Sequence, residues 1–325
     1  MENMKNLPKV TIAMAVYKPN LKFFRQQLES INKQDYDHIN LLIWNDSPHE
    51  FHCDEIVSKY ITKFPYRILD NGQNNGVTQA FAYLTEAAEG KYIAYCDQDD
   101  IWKENKISVT VAFMEGYPEC SCCHCECQLI DDHNHVVKEH YYPAGLDILN
   151  DIEYQKGTFL VKNWNIGCAM AMPISIAKAA LPFPNMVFHD QWLEMFALTK
   201  GKFFYMQDSL LQHRIHGTNN SQTLHGVKTK SDYYRLKLNK EKALFVFLQN
   251  HLSYWKDYQK EGMWIEARVA YAKYPGLKTF FRMCQFIKVR PGVTLFELLM
   301  PFIPHWMFSK ILSIIREEVR KFGIR

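Results

Sequence analysis

The first hundred residues alternate short apolar runs with helical patterns, and that alternation limits the fold more than any other feature. Val10-Thr-Ile-Ala-Met-Ala-Val-Tyr17 is almost continuously apolar, as a strand must be when both of its faces are covered. After Pro19 and Asn20, Leu21, Phe24, Leu28 and Ile31 recur at helical spacing, and Ile39-Asn-Leu-Leu-Ile-Trp44 supplies the next strand. Ile56, Tyr60 and Ile61 mark a second helix, Tyr66 to Leu69 a short strand, and Thr78 is placed to cap a third helix that Gly90 ends. Repeated βαβ units of this kind predict an α/β domain with a doubly wound, mostly parallel sheet. Such sheets bind ligands beyond the C-terminal ends of their strands.

The strand signal Lys91-Tyr-Ile-Ala-Tyr-Cys96 runs directly into Asp97, Asp99 and Asp100. Carboxylates this close repel one another and are best tolerated around a cation or in open solvent, so a divalent ion with a diphosphate is the natural occupant. The alternative is that Asp99 or Asp100 caps a helix beginning near Trp102. Asp46, Asn74 and Asn75 stand at the ends of other strand signals and add polar groups to the same sheet edge. There is no G-x-G-x-x-G and no G-x-x-x-x-G-K-[ST], so dinucleotide and P-loop chemistry have no warrant.

A net charge of +3 on 325 residues argues against a generally basic nucleic-acid binder. The polar start of the chain predicts a cytoplasmic protein. Nine cysteines, an odd number, predict reduced thiols rather than a disulfide framework. Five of them crowd positions 120 to 127, where C-x-x-C spacing allows zinc, while alternation of Cys123, Cys125 and Cys127 allows one apolar face of a strand. Ile166 to Met172 reads as a short strand stopped by Pro173, His189 to Leu198 as a helix with Asp190 in its first turn, and Lys202 to Met206 as a strand. The pattern between Tyr141 and Asn163 is mixed and assigns no element.

Taken in order, Val10–Tyr17, Asn45-Asp46-Ser47, Asn75-Gly76, Asp97-Gln-Asp-Asp-Ile-Trp102, Gly167-Cys168, His189-Asp190-Gln-Trp192 and Arg214-Ile-His-Gly-x-Asn219 resemble family 2 glycosyltransferases over roughly residues 9 to 221. The resemblance implies a GT-A fold with a mixed sheet, inversion at the anomeric centre, and dependence on Mg²⁺ or Mn²⁺. It divides the chain into a catalytic domain at 1–225, with its nucleotide half at about 9–102 and its acceptor half at about 103–225, and a helical region at 226–325. The D-Q-D-D-x-W and R-x-H-G-x-N segments look most like the rhamnosyltransferase branch. That implies dTDP-rhamnose as donor and a saccharide or polyprenyl-linked saccharide as acceptor in bacterial cell-surface polysaccharide synthesis. A UDP-hexose donor is the runner-up.

By the same resemblance, Val16, Tyr17, Asp46 and Asn75 lie at the nucleotide, with base recognition carried onto Asp46 alone because Asn45 stands where a second acid is common. Asp99 is the metal ligand and Asp97 faces the ribose or sugar, while Asp100 either serves sugar hydroxyls or caps the following helix. Asp190 is the base that takes the acceptor's proton, and a helix N-terminus favours its ionised form. Arg214 and His216, two apart, would face one side of an extended segment, toward the diphosphate or the metal. His189 and Trp192 are candidates for the acceptor pocket, with Trp192 equally suited to the core.

Two other classes fit less well. A sugar nucleotidyltransferase would carry a Gly-rich basic loop after the first strand, where Tyr17-Lys-Pro-Asn20 stands. A non-catalytic sugar-nucleotide binding module would not need both Asp99 and Asp190. At the C-terminal end, Phe308, Ile311, Leu312, Ile315, Val319 and Phe322 form an apolar stripe in a region rich in Lys and Arg. That stripe either lies on an anionic membrane or docks on the catalytic domain or on another subunit of a homo-oligomer.

Overall fold

The computed structural model describes residues 7–142, 166–216, 224, 226–252 and 259–322, with side chains to 317. Gly217 and Asn219 of the R-x-H-G-x-N segment, the mixed stretch from 143 onward, and the side chains of Val319 and Phe322 lie outside the described residues. The described residues fall into two compact units, one up to His216 and the other from Leu224 onward.

The first unit is built on one sheet. Strands β1 (Val10–Val16), β2 (Ile39–Asn45), β3 (Tyr66–Leu69) and β4 (Tyr92–Cys96) are parallel, with β1 between β2 and β4 and β3 outside β2. Then come β5 (Ile101–Trp102), β6 (Cys120–Ile130), β7 (Val136–Lys138), β8 (Met170–Pro173) and β9 (Lys202–Arg214). The sheet order is β3-β2-β1-β4-β8-β6-β9-β5, with β7 paired to β6. β8 is antiparallel to β4 and to β6, β9 is parallel to β6, and β5 is antiparallel to β9. The sheet is therefore mixed rather than mostly parallel. The βαβ rhythm governs it only as far as β4, after which antiparallel pairings enter.

Every residue of β2 and nearly every residue of β1 is buried, which explains their largely apolar sequences. Each fully covered Val, Leu or Ile contributes about 1.5–3 kcal/mol. Helix α1 (Leu21–Asn32) starts where the Asn20 side chain accepts a hydrogen bond from the Lys22 N–H, and it buries Phe23, Phe24, Leu28 and Ile31. Leu21 stays exposed. Helices α2 (Asp54–Tyr60) and α3 (Val77–Ala87) follow β2 and β3. Thr78 does not cap α3. The helix begins one residue earlier, after Gly76 at φ +78°, and the Thr78 hydroxyl donates to the Val187 carbonyl at 3.3 Å. The remaining α-helices of this unit among the described residues are α4 (Lys106–Gly116), α5 (Ile174–Ala179) and α6 (His189–Ala197).

The cysteine-rich stretch is β6, in the middle of the sheet with both faces covered. Residues three apart on a strand point to opposite faces, so Cys122 and Cys125 cannot share an ion, and burial raises the thiols of Cys122 and Cys127 well above their ordinary range. His124 on the same strand is fully buried, 3.1 Å from Glu194 Oε1 but not aligned for a hydrogen bond. Burial, with the nearby charge of Lys106, pushes its pKa down to about 3.

The second unit is helical. Thr229 and Asp232 form a capping box at the start of α7 (Lys230–Tyr233), which passes through a π turn into α8 (Asn239–His251). Helices α9 (Gln259–Lys273), α10 (Leu277–Cys284), α11 (Pro291–Leu299) and α12 (His305–Phe322) complete it. At its centre Arg268 is covered by Trp264 at 4.2 Å and donates to Glu297 at 2.6 and 2.8 Å and to Glu241 at 2.5 Å. Tyr233 donates to the same Glu297 at 2.7 Å. Of the C-terminal stripe, Phe308 and Leu312 pack against Val227, Tyr233 and Met300 inside this unit, so these two side chains are not available to a membrane. No helix among the described residues is long and apolar enough to cross a membrane.

Both buried clusters have measurable effects on stability. Arg268→Ala leaves two carboxylates buried without their cation and is expected to destabilise the chain by about 3–5 kcal/mol in urea unfolding. His124 contributes a pH dependence because the unfolded chain protonates it below its ordinary pKa near 6.5, whereas the folded chain refuses the proton until about 3. Stability is thus whole above that ordinary pKa and falls on acidification by about 1.4 kcal/mol per pH unit. His124→Gln should remove that slope.

Candidate active site

The C-terminal ends of β1, β2 and β4 bring three loops together. At the end of β1, Val16 is in the core, and its carbonyl accepts the Asp46 N–H at 2.8 Å. Tyr17 is partly exposed beyond it. Gln98, between Asp97 and Asp99, binds Tyr17 twice, accepting its N–H at 2.9 Å and donating to its carbonyl at 3.2 Å. Ser47 Oγ accepts the N–H of Lys18, which has a left-handed φ of +40°. Gln98 and Ser47 thus hold a turn that an L residue does not favour.

Asp46 is nearly buried. Its Oδ1 accepts the Asn75 N–H at 2.8 Å and Trp44 Nε1 at 3.2 Å, and its Oδ2 accepts the Gly76 N–H at 2.9 Å. The carboxylate therefore fixes the 75–76 loop whatever else it meets. Asn75 donates to Asn71 Oδ1 at 2.8 Å and the Gln73 carbonyl at 2.9 Å, so its side chain is ordered by its own loop.

The two residues expected at the metal meet. His216 Nε2 lies 2.7 Å from Asp99 Oδ2, both partly exposed, and the His216 ring stacks on Phe23. The pairing of β5 with β9 brings them together, setting Ile101 opposite Gln212 and Trp102 opposite Leu211. Asp100 does not cap a helix, since α4 begins only at Lys106. It is fully buried, and its Oδ1 accepts His213 Nδ1 at 2.9 Å and the Arg214 N–H at 3.0 Å. Burial alone would raise its pKa, but the charge and hydrogen bond of His213, with donors from Cys168 and the Arg214 backbone, pull it below the ordinary carboxylate value.

Arg214 corrects an expectation. Its guanidinium does not face outward beside His216 but is fully buried. Nε donates to the Asp99 carbonyl at 2.8 Å, Nη1 to the Asp131 carbonyl at 2.8 Å and Asn134 Oδ1 at 2.7 Å, and Nη2 to Gln26 Oε1 at 2.9 Å. Phe23 lies under it at 4.2 Å. β9 ends at Arg214, so the alternation that would place Arg214 and His216 on one side stops between them.

Among the described residues, Asp97, Asp100, Cys168 and His213 also hold ligand atoms within 4.8 Å of one another. Asp100 and His213 bond each other there, and burial raises the Cys168 thiol well above its ordinary range, which does not suit Mg²⁺ or Mn²⁺. The partly exposed carboxylate and imidazole of Asp99 and His216 fit such an ion better.

Asp190 stands in the first turn of α6, and its Oδ1 accepts the Gln191 N–H at 2.7 Å. His189 stacks on Phe81 at 3.8 Å and is buried, and Trp192 donates to the Ala180 carbonyl at 2.7 Å from the core, so neither lines an open pocket. A Cβ on Gly167 would sit 3.1 Å from His189 Nε2 and 3.2 Å from Asp190 Cβ, so this glycine allows α6 to approach the turn that leads into β8. Gln98, Ser47 and Gly167 are the positioning residues that motif reading did not single out by role. A polar residue between two metal-motif acids was the available signal for Gln98.

The model of glycosyl transferase family 2 matches residues 11–180, just over half of the chain. The chain belongs to glycosyl transferase family 2. A glycosyltransferase of Methanocaldococcus jannaschii is 25% identical over 255 residues, covering 77% of this chain and 84% of its own. WfaP of Escherichia coli, a UDP-Glc:α-D-GlcNAc-diphosphoundecaprenol β-1,3-glucosyltransferase, is 27% identical over 174 residues, covering 54% of this chain and 64% of its own. Among solved structures, Staphylococcus aureus TarS with UDP-GlcNAc superposes with a TM-score of 0.56 at 14% identity, over 88% of this chain and 82% of TarS. The mannosyltransferase PcManGT of Pyrobaculum calidifontis, with GDP-Man and Mn²⁺, does so at 0.52 and 13% identity, over 97% and 88% of the two chains. The fold of this family 2 glycosyltransferase is of the GT-A type, a mixed α/β sheet followed by C-terminal helices.

Gly167→Ala is expected to push Asp190 by a few tenths of an ångström and lower transfer roughly ten- to hundredfold, with donor affinity little changed. Steady-state kinetics with thermal-shift titration of the donor would separate the two.

Proposed function

We propose that this enzyme transfers rhamnose from dTDP-rhamnose, with inversion, onto a saccharide or polyprenyl-linked saccharide at the inner face of the cell membrane. The observation that carries the chemistry is the Asp99–His216 pair at 2.7 Å, held at the sheet edge of a family 2 domain. Asp99 and His216 would hold Mg²⁺ or Mn²⁺, which when bound supplies positive charge beside the departing diphosphate. Tyr17, Asp46 and Asn75 border the nucleotide, and Asp97 the ribose or sugar. Asp100 and Arg214 serve the donor from behind, by fixing the backbone that carries Asp99.

Asp190 takes the proton from the acceptor hydroxyl as that oxygen attacks the anomeric carbon opposite the diphosphate. The rhamnosyl reading rests on the D-Q-D-D-x-W and R-x-H-G-x-N segments. A second reading, a UDP-hexose donor with a diphosphate-linked lipid acceptor, is supported by the likeness to WfaP.

The test is a panel of dTDP-rhamnose, UDP-glucose and UDP-GlcNAc with Mg²⁺ or Mn²⁺, read by thermal shift and by release of nucleoside diphosphate. dTDP-rhamnose is expected to stabilise and to turn over, and turnover with a UDP-hexose alone moves the enzyme to the second reading. Asp190→Asn should keep donor binding and lower transfer by roughly two to four powers of ten. A wild-type rate in that variant places the base elsewhere.

A further inference from the structure

We infer that the outer surface of α10, α11 and the start of α12 is a docking face for an anionic lipid bilayer. Among the described residues, nine large apolar side chains are at least half exposed, and eight of them lie between Tyr274 and Ile314. Single exposed apolar residues are ordinary on any protein, but a concentration in one helical segment is not. Leu277 and Phe281 are one turn apart on α10, and Leu295 and Leu299 one turn apart on α11, which packs against it. Phe302, in the turn that follows α11, and Trp306, in the first turn of α12, are 76% and 71% exposed.

This face is distinct from the C-terminal stripe, whose Phe308 and Leu312 are enclosed within the helical unit. Here the inner residues Met283, Leu298 and Met300 make the core and the outer ones meet solvent. Trp and Phe with short helices suit the headgroup boundary, where an aromatic side chain has one side in acyl chains and the other in water.

Charge selects the occupant. Lys278, Arg282, Lys288 and Lys310 are exposed among these residues, with Arg282 3.7 Å from Glu266 of α9. The sole acid between positions 274 and 316 is Glu297, and its carboxylate is enclosed by Arg268 and Tyr233. A positive apolar face whose one exposed acidic neighbour among the described residues is Glu266, beside Arg282, complements an anionic leaflet. It is a poor match for its own copy, because a two-fold contact sets each patch against itself and like charges would face each other. The proposal deepens the reading of a membrane-borne acceptor, but its support lies wholly in the helical unit.

The experiment is co-sedimentation of the full chain with vesicles of phosphatidylcholine alone or mixed with phosphatidylglycerol. Binding to the mixed vesicles is expected, roughly tenfold weaker to phosphatidylcholine alone and in high salt. A Phe302→Glu and Trp306→Glu double variant should lose it, with its melting temperature unchanged because both side chains are exposed. Lys278→Glu with Lys310→Glu should lose the preference for anionic lipid. No binding by the wild type, or equal binding by the Phe302 and Trp306 variant, overturns the proposal. So does a dimer in sedimentation velocity that this variant dissolves, which would assign the face to a second copy. Donor hydrolysis without vesicles is measured in parallel, so failure of the membrane face is distinguishable from failure of the transferase reading.

Discussion

The site depends on an exchange between Asp100 and Arg214. The Asp100 carboxylate accepts the backbone N–H of Arg214, and the Arg214 side chain returns a bond to the carbonyl of Asp99. Each residue holds the chain next to the other, so the loop after β4 and the end of β9 are fixed as one body. Asp99 adjoins Asp100 and His216 stands two residues beyond Arg214, so the knot brings the pair to 2.7 Å. A buried charge left unpaired is strongly unfavourable, so the same pairing that shapes the site is one the fold cannot give up lightly.

Around that knot the carboxylates separate by environment. Asp100 is enclosed and ionised through His213, Cys168 and backbone donors, while Asp97 and Asp99 keep partial access to solvent. One acid of the motif is structural, and two remain at the mouth of the site. Asp46 works similarly at the other loop, gathering the Asn75 and Gly76 N–H groups. The amide of Gln98 pairs with the backbone of Tyr17 as a neighbouring strand would, joining the first loop to the 97–100 loop.

Much of this was legible in the sequence. β1 and β2 announce themselves because strands covered on both faces are mostly apolar, and the Asp cluster at the end of β4 is where strands of such sheets present their ligand groups. The order of motifs puts Asp99 at the metal and turns His216 toward the diphosphate or the metal, and the structure brings the two together although 117 residues separate them. What stayed hidden is direction. Nothing local says that the Arg214 side chain turns inward, because its four acceptors come from α1, the 97–100 loop and the 131–134 turn. The antiparallel half of the sheet was equally obscure, since its strands pair across long stretches of sequence. Nor could periodicity in α12 show that Phe308 and Leu312 find their partners inside their own unit.

The cysteines have a consequence of another kind. Eight of the nine are buried, and several line neighbouring positions of β6. In the native chain oxidants do not reach them, so activity should tolerate mild oxidation. Once the sheet opens, the same thiols are exposed together and ionise more readily than in the fold, and each can attack or be captured by another chain. Loss of the fold in air is then a one-way event, and this protein's shelf life is set by how rarely it opens rather than by how stable it is at equilibrium.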